Sequence, residues 1–156
     1  IYYFEEPNTP VFYNNKYVKD NVKMPLAHGE RVFGRWEYIR YFMDNSIQVI
    51  QPDIGNAGGI TETKRICDMA YTFDVGVQIH TCASHLLTPP SVQLEACIPN
   101  FVIHEQHMRS MNPSNQELTA KVVMPKNGYL DVTDDIGIGN EWSDKALASE
   151  DQITLN

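Results

Sequence analysis

At 156 residues, 42% of them hydrophobic and 10% aromatic, the chain has the make-up of one globular domain that can bury a core, which excludes a disordered segment. A formal charge of −8, from 12 Lys and Arg against 20 Asp and Glu, argues against a nucleic-acid or anionic-membrane surface and favours a small-molecule ligand. No apolar run approaches the roughly 20 residues of a membrane helix, and Cys67, Cys82 and Cys97 form neither a complete set of pairs nor a C-x-x-C unit, so reduced thiols and a cytoplasmic location are expected.

Along the chain, short apolar runs each end in a polar residue. Ile1 to Phe4 leads into Glu5, Met24 to Ala27 into His28-Gly29-Glu30, and Ile47 to Ile50 into Gln51-Pro52-Asp53. Val75 to Ile79 then leads into His80, and Phe101 to Ile103 into His104-Glu105. Between these runs lie helix-like stretches at Asn14 to Asp20, Arg35 to Met43, Gly59 to Phe73 and Ser84 to Ala96, the third with Ile66, Met69, Ala70 and Phe73 at helical intervals.

Strand-helix alternation of this length predicts parallel strands covered by helices, and the polar ends recur about every 25 residues, close to the repeat of a β/α barrel. Five strands would leave two unpaired edges, so the missing strands are expected before Ile1. After residue 110 the sequence becomes turn-rich, with Pro125-Lys126-Asn127-Gly128 and Gly137-Ile138-Gly139, and closes with a short helix-like stretch from Ser143 to Ser149. The expected division is therefore a barrel part over 1–110 and a carboxyl-terminal tail over 111–156.

In such barrels the carboxyl ends of the strands carry the chemistry, so Glu5, Glu30, Asp53, His80 and Glu105 would ring one mouth. Singly, each is a common strand-end or loop residue; their convergence is the signal. Glu5 and Glu30 offer hard oxygens of the kind Mg²⁺ takes together with water and substrate oxygens, and a third carboxylate would normally complete the set. Asp53 and His80 end adjacent strands, so the carboxylate can accept from one ring nitrogen and leave the other for proton transfer. The same two residues also fit a strand-capping histidine and an Asx turn, and their spacing does not separate the readings. Strand alternation puts His28 on the face of Glu30 and Gln51 on that of Asp53, one layer below the mouth. Asn56-Ala57-Gly58-Gly59-Ile60 lacks the P-loop lysine and is read as helix packing, and in His104-Glu105-Gln106-His107 only Glu105 is taken as functional.

The ordered set F-E-E-P (Phe4 to Pro7), G-E-R (Gly29 to Arg31), Q-P-D-x-x-x-A-G-G (Gln51 to Gly59) and I-H-T (Ile79 to Thr81) resembles the enolase superfamily, and within it the mandelate racemase subgroup. P-N-F-V-I-H-E-Q-H (Pro99 to His107), N-G-Y-L and G-I-G-N-E-W are similar to the galactonate-dehydratase-like acid-sugar dehydratases. The resemblance implies an α/β fold, a partial (β/α) TIM-type barrel comprising about strands 4–8 plus a tail returning toward a capping domain. It implies Glu5 and Glu30 as Mg²⁺ ligands with Glu6 supporting them, Asp53 and His80 as a catalytic dyad, and Glu105 as a hydrogen-bonding partner of substrate or enolate. It further implies a homo-oligomeric hydro-lyase that turns a sugar acid into a 2-keto-3-deoxy acid, the alternatives being a racemase or epimerase of the same superfamily, or a fragment inactive without its amino-terminal half. The capping domain, the first three barrel strands, a second-strand acid/base and a third-strand metal-ligating Asp that the family expects are not in these residues.

Overall fold

The structure, a computed structural model, describes residues 1–149; the last seven residues of the expected tail lie outside the described residues. The described residues divide into two compact units, the first made of 1–80 and 94–105, the second of 81–93 and 106–149. The second therefore takes in a segment from within the expected barrel part. Among the described residues no helix is long and apolar enough to cross a membrane.

The first unit is built on parallel strands in sequence order: β1 (Phe4–Glu5), β2 (Leu26–His28), β3 (Val49–Ile50) and β4 (Gly76–Val77). The register pairs Glu5 with Ala27, His28 with Ile50 and Ile50 with Val77. The expected fifth strand joins through a bridge between Val77 and Phe101, where Val102 N–H donates to Val77 O at 2.9 Å. Gly76 permits that approach, because a Cβ there would stand 2.6 Å from Val102 Cγ2.

Helices α1 (Phe12–Asn21), α2 (Arg35–Met43) and α3 (Gly59–Thr72) alternate with the strands, and α4 (Thr88–Ala96) follows β4. Tyr38, Tyr41 and Phe42 form the buried face of α2, and Thr63, Ile66, Cys67 and Ala70 that of α3, the i, i+3, i+4 spacing of an amphipathic helix. They close a core with Ile47, Ile50, Val75, Val77 and Ile79 from the strands. By contrast α1 leaves Phe12, Tyr13 and Tyr17 exposed and buries Asn15, whose amide donates to Ser46 O at 2.6 Å.

Two helices hand over to the next strand by one device. After α2, Asn45 takes a left-handed conformation (φ 53°), its N–H donating to Phe42 O and the Ser46 N–H to Tyr41 O. After α3, Asp74 does the same (φ 56°), with Asp74 N–H on Tyr71 O and Val75 N–H on Ala70 O. This is the Schellman closure, which satisfies the last helical carbonyls and reverses the chain. It delivers Ile47 and Val75 directly into the core and so fixes where the following strand ends fall.

The second unit is mostly loops, with a 3₁₀ turn at Met108–Met111, α5 (Pro113–Gln116), a bridge between Lys126 and Tyr129, and α6 (Asp144–Ser149). His85, fully buried, holds it together: Nε2 lies 2.9 Å from Ser110 O, Nδ1 accepts from Val123 N–H at 3.3 Å, and Asn140 Nδ2 donates to His85 O at 3.0 Å.

Candidate active site

All five sequence-selected residues lie in the first unit: Glu5 ends β1, Glu30, Asp53 and His80 lie just beyond β2, β3 and β4, and Glu105 follows the Phe101 bridge. Asp53 and His80 form a further parallel bridge beyond β3 and β4, with His80 N–H on Pro52 O at 3.1 Å. The side chains meet, His80 Nδ1 lying 2.7 Å from Asp53 Oδ2. Asp53 is buried and its other oxygen accepts from the backbone N–H groups of Gly55 at 2.7 Å and Asn56 at 3.2 Å. The two sequence readings of Asp53 are thus compatible: the Asx turn uses Oδ1 and thereby aims Oδ2 at the histidine.

An Nδ1–H donated to Asp53 leaves Nε2 as the exchangeable position, and Nε2 lies 3.2 Å from Glu30 Oε2. Burial works against a charged ring here. The hydrogen bond to Asp53 and the negative fields of Glu105 and Glu30 outweigh it and raise the His80 pKa.

Glu5 shows how strongly negative this mouth is. Burial pushes its carboxyl up, the Gln51 amide pulls it back, and Glu105, Glu30 and Glu6 push it up again. A carboxyl pushed up by neighbouring carboxylates sits in an environment that a cation relieves, and the hard oxygens here fit Mg²⁺ in donor type. Among the described residues no cluster of three His, Cys, Asp or Glu side chains is set to hold a metal. Glu5 and Glu30 can therefore supply part of a ligand set.

Glu6, in a left-handed conformation (φ 43°), faces away from that task. Its Oε1 accepts from Gly29 N–H at 3.0 Å and lies 3.0 Å from His28 Nδ1, while Oε2 takes the Arg31 guanidinium, with Nε at 2.9 Å. Burial alone would push this carboxyl up, yet the His28 ring, the Gly29 N–H and Arg31 together hold it at about 2. Glu6 grips the residues on both sides of Glu30. Tyr38 Oη adds a bond to Gly29 O at 2.8 Å, and a Cβ on Gly29 would come within 2.6 Å of Gln51 N, so glycine is needed in this turn.

Glu105 is held by Gln78, whose Nε2 donates to Oε2 at 3.4 Å, and Tyr3 hydrogen-bonds the Gln78 oxygen. Tyr3 and Gln78 were not singled out from the sequence. Each lies two positions before a selected strand-end residue, Glu5 and His80, and the alternation that selected His28 and Gln51 applies equally to them. Both His28 and Gln51 are buried as expected.

Residues 1–146 match the family model for the enolase C-terminal domain-like family. A D-xylonate dehydratase of Haloferax volcanii is 26% identical over 140 residues, which is 89% of this chain and 34% of that protein. A D-galactonate dehydratase of Pectobacterium atrosepticum is 36% identical over 85 residues, 54% of this chain and 22% of that one. A crystal structure of an enolase-superfamily member from Salmonella Typhimurium superposes with a TM-score of 0.96 at 42% identity, covering all of this chain and 40% of that one. The chain thus spans about a third of the xylonate dehydratase and two fifths of the solved structure, a partial barrel by comparison with both. The family model covers nearly all of the described residues and the parallel β/α order agrees with it, so this chain belongs to the enolase C-terminal domain-like family.

Proposed function

We propose that this chain is the carboxyl-terminal part of a Mg²⁺-dependent sugar-acid dehydratase acting on an aldonate or aldarate. The observation that carries the reading is the Asp53–His80 contact of 2.7 Å at a mouth crowded with carboxylates. A solvent-reachable imidazole nitrogen backed by a buried carboxylate is the arrangement of a general base. Relatives named D-xylonate and D-galactonate dehydratase point to water loss as the reaction class.

In this reading Asp53 holds the His80 tautomer with the proton on Nδ1, so Nε2 takes the proton α to the substrate carboxylate. The C–H electrons pass into the enediolate. Protonation of the β-hydroxyl lets it leave as water, and the enol tautomerises to a 2-keto-3-deoxy acid. His80 can serve as the base in the first step or, protonated, as the acid in the second. Glu105, fixed by Gln78, hydrogen-bonds the substrate or its enolate. Glu5 and Glu30 would hold Mg²⁺ with ligands from outside these residues, and the metal would supply positive charge beside the carboxylate whose α-proton is removed. The homo-oligomeric state implied by the family belongs to the same proposal, and light scattering tests it.

The deciding experiment is a screen of the protein carrying this chain, its intact mass established first, against aldonic and aldaric acids with Mg²⁺, reading keto acid with semicarbazide. Keto-acid formation that is lost in His80→Asn supports the dehydratase. Exchange of the α-proton in D₂O without loss of water overturns it in favour of a racemase or epimerase. No turnover from a protein of 17.8 kDa places the activity outside this chain alone.

A further inference from the structure

Glu95 and His104 form a buried hydrogen-bonded pair that the proposed chemistry does not use. Glu95 stands on α4 with 5% of its side chain exposed, and its Oε2 lies 2.7 Å from His104 Nδ1, itself 14% exposed. Such burial is costly unless the partners are well placed, and removing one partner is more costly than never having had either. Among the described residues the remaining polar atoms, Glu95 Oε1 and His104 Nε2, are enclosed and have no hydrogen-bond partner. Packing alone would be served better here by two apolar side chains, so the pair calls for a directional reason.

That reason is its address. His104 directly precedes Glu105, and the two side chains have different partners, His104 contacting Glu95 on α4 and Glu105 contacting Gln78. Beyond Val102, whose N–H is on Val77 O, the chain has left the sheet register. Burial pushes the Glu95 carboxyl up, and the His104 ring and the backbone of Ile79 pull it back. The hydrogen bond to His104 ties the backbone just before Glu105 to α4.

We infer that the Glu95–His104 pair positions Glu105, fixing the backbone at 104 so that the carboxyl group of the next residue stays at the mouth beside Gln78. The inference rests on the dehydratase reading of Glu105. A hydrogen bond from a ring to a carboxylate sets both distance and direction, which an apolar contact does not. Gln78 holds the Glu105 carboxylate from the front at 3.4 Å, a weak bond on its own. The pair behind supplies the second constraint that a precisely aimed side chain needs.

The test uses the protein carrying this chain, assayed for keto acid well below the melting temperature of each variant. His104→Phe keeps the ring and loses the donor; it is expected to lower kcat by roughly 10- to 100-fold with KM and Mg²⁺ affinity within about twofold of wild type. His104→Asn, which keeps an N–H near the Nδ1 position, is expected to recover most of that loss. Glu95→Gln, which keeps the acceptor, gives a second handle should His104→Phe fold poorly, and is expected to stay within about threefold of wild type. His104→Phe combined with Glu105→Gln should be no slower than Glu105→Gln alone, because residues acting as one unit are not additive. A folded His104→Phe with wild-type kcat, or losses that multiply in the double variant, overturns the inference while leaving Glu105 in its role. Full activity in Glu105→Gln overturns the role of Glu105, and the inference with it.

Discussion

His80 and His85 are close in sequence, yet they belong to different units and to different kinds of site. His80 at a strand end has a carboxylate on each ring nitrogen, Asp53 on Nδ1 and Glu30 on Nε2, and remains partly exposed. His85 is wholly buried, with one ring nitrogen on Ser110 O and the other on Val123 N–H. Backbone groups cannot move with a reaction or be relieved by a ligand, so His85 can only hold its loops together. Side-chain carboxylates with access to solvent can exchange partners, so His80 can act. What separates the two histidines is the chemistry of their partners, which residue type and neighbouring sequence do not record.

The comparison is broken most directly at His80. His80→Asn is expected to lower keto-acid formation by roughly 10²- to 10⁴-fold, with little change in melting temperature because the ring sits at the edge of the core. Loss of stability without loss of turnover would place His80 with His85 as a structural residue. The next effect falls on Glu6, which grips both neighbours of Glu30 without facing the mouth. Glu6→Gln is expected to weaken Mg²⁺ binding by roughly 10- to 100-fold, the usual range for a residue that orients a metal ligand. Calorimetric titration reads this without an assay of turnover, and unchanged affinity would show that the turn around Glu30 holds itself.

How much of this could be read from sequence differs between the two units. The strand ends were legible because the alternation from apolar run to polar residue survives into the structure, and α2 was legible from end to end at Arg35–Met43. The ladders came out shorter than the apolar runs, and the segment after Pro99 joins the sheet by a bridge where a fifth strand was expected. The left-handed Asn45 and Asp74 that set the strand starts carry a local signal, because these residues tolerate that conformation better than most. Long-range partners carry none. Asn15 on Ser46 O, Glu95 on His104 and His85 on Val123 are chosen by tertiary packing, and nothing in the flanking residues announces them.

A sharper form of the same comparison comes from His85→Leu. Val123 N–H would lose its partner in a part-buried place, while Ser110 O would keep the Gln116 amide, at a cost of about 1–3 kcal/mol. The melting temperature is expected to fall by roughly 2–12 °C, with keto-acid formation at low temperature unchanged. Turnover that falls in step with His80→Asn would contradict the division of roles between the two histidines.

The smallest effect concerns the thiols, where burial acts without any specific partner. Burial in the core face of α3 pushes the Cys67 thiol up to about 12, the charge of Asp68 adding to it and that of Lys64 opposing it. Cys97 is exposed. Since the thiolate is the species that reacts, iodoacetamide at pH 8 should label Cys97 in the native protein and leave Cys67 intact, as mass spectrometry of the digested product would show. The sign of the linked pH effect follows. A pKa raised by folding means that the stabilisation is complete below the ordinary thiol range near 8.5 and is lost as the pH climbs toward 12. Cys67→Ala should flatten that alkaline limb by a small amount, because the thiol is one group among many that titrate there. Labelling of Cys67 at the rate of Cys97 would mean that α3 opens in the native state, and the core that carries the strand ends of Asp53 and His80 would then be looser than its packing implies.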